Sequence, residues 1–139
     1  MKRILLILLI GISNLTSAQM GTKLSGKIVD EKLTCLYGVK IKNLTKGTES
    51  ISDQNGSYEI SVEENDTLEF QMIGLTTDQI KIEKLTQTLN LIMMDKEVNC
   101  LGADWTESQY KKANRRIDMR LKKLYKKAEE QNVWKNSSC

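Results

Sequence analysis

Histidine and proline are both absent from the 139 residues. Without histidine the chain has no imidazole to serve as a general base near neutral pH and lacks the commonest zinc and copper ligand, so serine triads, Cys-His dyads and histidine-based metal sites are excluded. Without proline, every turn must rest on Gly, Asn and Asp. Aromatic residues are few, with one Phe, four Tyr and two Trp, which leaves little stacking surface for a sugar platform. The three cysteines, Cys35, Cys100 and Cys139, are an odd number, so in an oxidising compartment at least one is left over or pairs between chains. An internal bridge is expected between Cys35 and Cys100, both at the edges of expected strands; the alternative is two separate buried thiols that behave as small hydrophobes. Cys139, the last residue, is expected to be exposed.

Long apolar runs are lacking too. The longest, Ile4 to Ile12, follows Lys2 and Arg3 and precedes the small residues Thr16, Ser17 and Ala18. That order of positive, apolar and small-residue segments is a secretory signal, and the run falls short of the ~20 residues that span a bilayer. Residues 1–18 are therefore expected to be a cleaved signal peptide, and Gln19 and Met20 stand where a lipid-modified cysteine would have to be. The formal charge is +3, but it is unevenly placed. Residues 19–102 carry nine basic against thirteen acidic side chains and residues 103–139 carry ten against five, so an acidic body precedes a basic tail.

What is present is mostly strand alternation. In "TKLSGKIV", Leu24, Gly26 and Ile28 fall on one face and Lys23, Ser25 and Lys27 on the other, the period of a half-buried strand. "YGVKIKNL" repeats the pattern, and "GTESISD" and "SYEISV" flank an Asn55-Gly56 turn as a hairpin. An acidic turn from Glu63 to Asp66 leads into "TLEFQMIG", followed by "DQIKIEKL" and "TQTLNLIMM". Seven short strands with no helical segment between them predict a sandwich or small barrel.

From Thr106 the period changes. Thr106 and Gln109 have the form of a capping box, and Tyr110, Ala113, Ile117, Leu121, Leu124 and Ala128 recur at spacings of three and four. This predicts an amphipathic helix to about Gln131, with Lys111, Lys112, Arg115, Arg116, Lys122, Lys123, Lys126 and Lys127 over much of its remaining surface. The tail "NVWKNSSC" is expected to fray, with Trp134 as its one contact.

The runs "GVKIKN", "GTESISDQNGSYEISV" and "DTLEFQMIGL" together resemble the carboxypeptidase regulatory-like domain. Gly38 and Val39 match its Gly-Val strand, Gly47, Thr48, Asp53, Gly56 and Tyr58 its Gly-Thr strand and Asp-x-x-Gly turn, and Ile73 with Gly74 its Ile-Gly element. The resemblance covers roughly residues 22–95; Tyr37 replaces the usual proline and Leu75 the usual aromatic. Domains of this kind stand at the N-terminus of TonB-dependent outer-membrane receptors and in short exported proteins of Bacteroidetes-like bacteria. The resemblance implies an all-β, seven-stranded Greek-key β-sandwich of the prealbumin/transthyretin-like kind, here followed by one C-terminal amphipathic α-helix. It implies no catalysis.

The residues themselves nominate no active site. Asp53, Glu63, Glu64 and Asp66 lack the ligand ladder of a calcium loop and suit plain turns. The pairs Glu63-Glu64 and Glu59-Glu69 have nothing to raise them above a solvated strand face. The expected organisation is a signal peptide at 1–18, the β-domain at 19–102 and a basic helix with its tail at 103–139. The expected function is that of a non-enzymatic interaction or accessory module of the cell envelope, exported to the periplasm or cell surface and without a cofactor. Its candidate partner-binding residues are Tyr110, Ile117, Leu121, Leu124, Arg115, Arg116, Lys122 and Lys123. The expected partner is another envelope protein rather than nucleic acid; the narrow apolar stripe favours protein over membrane. The alternative is a small-ligand or glycan-binding sandwich.

Overall fold

The computed structural model describes residues 21–96 and 106–136. The expected signal peptide, Cys100 and Cys139 lie outside the described residues, as does the side chain of Tyr110. Seven strands precede one helix: β1 (Thr22–Val29), β2 (Lys40–Asn43), β3 (Glu49–Ile51), β4 (Ser57–Val62), β5 (Thr67–Gln71), β6 (Asp78–Lys81), β7 (Leu91–Ile92) and α1 (Glu107–Glu130). They form a three-stranded sheet in the order β4-β1-β7 and a four-stranded sheet in the order β3-β2-β5-β6. The all-β sandwich with a C-terminal helix expected from the sequence is thus the observed fold. All strand pairs are antiparallel except β1 with β7, where Ile28 lies beside Leu91 and Val29 beside Ile92.

Alternation explains the main core. In β4 each second residue, Tyr58, Ile60 and Val62, is buried, and these meet Leu24, Ile41, Leu68 and Phe70 from three other strands. The ring of Tyr58 stands edge-on to Phe70, with centroids 5.6 Å apart and planes at 80°, and its hydroxyl donates to the Leu89 carbonyl at 2.8 Å. Each such side chain contributes about 1.5–3 kcal/mol by leaving water.

The acidic turns are explained by backbone geometry. The Asp53 carboxylate accepts from the amides of Asn55 at 2.8 Å and Ser57 at 2.9 Å. Gly56 follows with φ +71°, and a Cβ there would stand 2.4 Å from the Ile28 carbonyl oxygen, so both conformation and space demand glycine. Asp66 is buried and accepts from Asn43 Nδ2 at 2.7 Å and from the Glu63 amide at 2.9 Å.

Two expectations need correction. β1 is not half-buried along its length: Lys27, Ile28 and Val29 are all buried, because α1 covers the outer face at that end. The tail after α1 is not frayed as far as Asn136. Asn132, at φ +54°, closes the helix: its amide bonds to Glu129 O and that of Val133 to Ala128 O, each at 3.0 Å. This is a Schellman motif with asparagine in the left-handed position. Trp134 then packs near Tyr125, with ring centroids 6.1 Å apart.

Candidate functional site

The helix begins as the sequence indicates. The Thr106 side chain accepts from the Gln109 amide, and the Gln109 side chain accepts from the Thr106 amide at 2.7 Å. Its 24 residues extend about 36 Å. Only the C-terminal part is seated. Ala128 is fully buried among Val29, Leu33 and Ile92, with Leu121, Leu124, Tyr125, Val133 and Trp134 packed around it. Val29 and Ile92 are the two apolar residues that point away from the main core on adjacent strands, and they form the floor of this second cluster.

Polar contacts fix the same seam. β7 is an edge strand, and the outward amide of Ile92 donates to the Tyr125 hydroxyl at 3.1 Å. Lys27 is buried, and its ammonium donates to the carbonyls of Val133 at 3.3 Å and Asn136 at 2.7 Å. Arg120 pairs with Glu31, whose other oxygen accepts from the Asp95 amide at 3.3 Å. Burial raises the Tyr125 phenol above its ordinary pKa; the Ile92 amide opposes that shift and the charge of Asp78 adds to it.

The candidate partner-binding residues therefore separate into two sets. Leu121 and Leu124 are brought together against the sandwich. Ile117 is 41% exposed, and Arg115, Arg116, Lys122 and Lys123 are all exposed; Met119, which is not among the candidates, is 53% exposed beside them. Cys35 is disulfide-bonded; the pairing expected with Cys100 falls outside the described residues. Among the described residues no three His, Cys, Asp or Glu side chains cluster as a metal site, and no helix is long and apolar enough to cross a membrane.

Where the unseated part of α1 passes over the ends of β6 and β7, it leaves a cleft of about 380 Å³. Ala113, Ile117 and Leu121 line it from the helix, Asp78 and Ile92 from β6 and β7, and Met94, Asp95 and Lys96 from the segment after β7. Asp78 is half-buried, and that burial raises its carboxyl above the usual carboxylate range. Sequence reasoning missed Asp78, Tyr125 and Lys27. Val29, apolar on the face of Lys23, Ser25 and Lys27, and Ile92, apolar on the face opposite Leu91 and Met93, were a usable signal for the helix seat; nothing in the sequence distinguishes Lys27 from the exposed lysines of neighbouring strands.

The CarboxypepD_reg-like domain family matches residues 24–103. No curated protein matches the chain. Among solved structures it is similar to chains from two mutants of a type II Cohesin-X-Dockerin complex of Acetivibrio cellulolyticus. One is 20% identical with a TM-score of 0.47, covering 54% of this chain and 58% of that one. The other is 18% identical, also with a TM-score of 0.47, covering 61% and 65%.

Proposed function

This chain belongs to the CarboxypepD_reg-like domain family, and from that premise we propose that it is a non-enzymatic, exported interaction module whose partner-docking element is the unseated part of α1. The observation that carries the reading is the division of one helix. Its C-terminal part is locked to the sandwich by Ala128, Tyr125 and the Schellman turn, while Met119, Arg115 and Arg116 are exposed on the part before it and Ile117 is partly exposed at the edge of the cleft. An anchored helix with an unused apolar stripe and cationic flanks fits a groove on a partner protein and steers association with an acidic one. Export is supported by the signal-like order of residues 1–18 and by the bonded state of Cys35, since disulfides persist in oxidising compartments.

A photo-cross-linking residue placed at 115 or 119 in the expressing cell tests this. Discrete adducts at those positions, absent when the probe stands at Glu59 on β4, the opposite edge of the sheet that seats the helix, and, for the probe at 119, lost on Arg115→Glu/Arg116→Glu substitution, are expected. Equal labelling from residue 59, or no adduct from the helix, overturns the reading.

A further inference from the structure

Six acidic side chains of the described residues are partly or fully buried, and five are matched. Asp30 accepts from the amides of Lys32 and Thr34, Glu31 pairs with Arg120, Glu63 with Lys46, Asp66 takes Asn43 and Glu69 takes Gln79 Nε2 at 2.7 Å. The sixth, Asp78, has no ion pair or side-chain hydrogen bond among the described residues. It stands on the wall of the cleft beneath α1, opposite Ala113, Ile117 and Leu121 and beside Ile92 and Met94. A half-buried carboxylate without a partner is poorly compensated, and among the described residues Asp78 is the partly buried acid that lines an apolar recess under the helix.

We propose that this cleft binds a small ligand with an aliphatic body and a single cationic head, the body between α1 and β7 and the head against Asp78. Its volume of about 380 Å³ lies within the ~300–1,000 Å³ of small-ligand sites, which pair mostly apolar walls with a few placed polar groups. Asp95 and Lys96 also line the cleft and carry opposite charges, so the balance is left to Asp78: a cation gains its carboxylate, an anion is repelled by it, and a neutral head gains only a hydrogen bond. Burial that raises the Asp78 carboxyl marks the same group as poorly solvated, so a matching cation recovers interaction that water does not supply. This site shares Ile117 with the element assigned to the protein partner but not Arg115, Arg116 or Met119, so loss of the amine preference on Asp78→Asn and loss of cross-linking at 115 or 119 are read independently.

Octylammonium, octanol and octanoate, each below its aggregation concentration, are the probes, titrated into the full chain and followed through the methyl signals of Ile92, Met94, Ile117 and Leu121. Saturable shifts confined to these residues are expected with octylammonium, at least tenfold tighter than with octanol and with no binding of octanoate. Asp78→Asn should remove the preference for the amine while leaving octanol unchanged. Ala113→Trp, which fills the cleft from the α1 side, should abolish binding of both, with the Tyr58 and Phe70 signals of the main core reporting that the fold is intact. Equal affinity for the three probes, an amine preference that survives Asp78→Asn, or no saturable shift with any of them overturns the proposal.

Discussion

The two parts of α1 carry the same repeating pattern and meet different fates. Ala113 and Ile117 follow the three-and-four spacing as faithfully as Leu124 and Ala128 do, yet Ala128 is wholly buried while Ile117 is 41% exposed. What differs is the surface beneath. Under Ala128 lie Val29 and Ile92, two outward apolar residues on paired strands; under Ala113 and Ile117 lies a cleft with the open carboxylate of Asp78 on its wall. Periodicity reveals which face of a helix avoids water, and the complementary surface decides how much of that face is covered.

Substitutions along the stripe can break this comparison. The largest effect is expected from Ala128→Arg, which drives bulk and charge into a closed seam. It should lower stability by about 3 kcal/mol in chemical denaturation. Ala113→Arg, on the same stripe, should stay within about 0.5 kcal/mol. Equal losses at the two positions would mean that the helix is seated along its whole length. Next comes Tyr125→Phe, which leaves the Ile92 amide without its acceptor. A loss of about 1–2 kcal/mol is expected, with faster hydrogen exchange at Ile92 and none at Ile60.

A double-mutant cycle on Glu31→Gln and Arg120→Ala should give a coupling of about 0.5–1 kcal/mol. The pair is half open to solvent on the arginine side, so added salt should reduce the coupling. The smallest effect concerns Asp78. Its folded pKa is raised by burial, so the folded state holds the proton more tightly than the unfolded one. The penalty is therefore present above the folded pKa and disappears as the pH falls through it towards the unfolded value. Tyr125, Asp95 and Lys96 are the other titrating groups near this carboxyl. Asp78→Asn should raise the Tm slightly at neutral pH, with wild type gaining on the variant upon acidification. A Tm difference that does not change with pH would show that burial of the charge is not the cause.

The sandwich was legible because its information is local. Alternation placed Leu24, Ile41, Tyr58, Ile60, Leu68 and Phe70 in the core, and the Asp53 and Gly56 turn could be read from backbone chemistry alone. The capping box at Thr106 was equally local. The seat of α1 was not, because it depends on the outer faces of β1 and β7, and the parallel register that sets Val29 beside Ile92 joins residues far apart in the chain. The frayed tail expected after Gln131 failed for the same reason: Asn132 is a left-handed cap whose benefit is realised only when Val133 and Trp134 have a cluster to enter. Asp78 reads as an ordinary polar residue of an edge strand until a helix lies across it.

The Lys27 clasp has a consequence for the order of events in folding. Its ammonium holds the Asn136 carbonyl across a separation of 109 residues, so the contact closes a loop that contains nearly the whole described chain. Such closure has an entropic cost that grows with loop length, and the carbonyl it needs lies 109 residues further along the chain. The β-sheets can pair from local hairpins before this happens. The clasp is thus a late step, and amide exchange in α1 should report openings that leave the sandwich closed. A chain that stops short of Val133 would hold a paired sandwich with a buried ammonium and neither carbonyl to receive it.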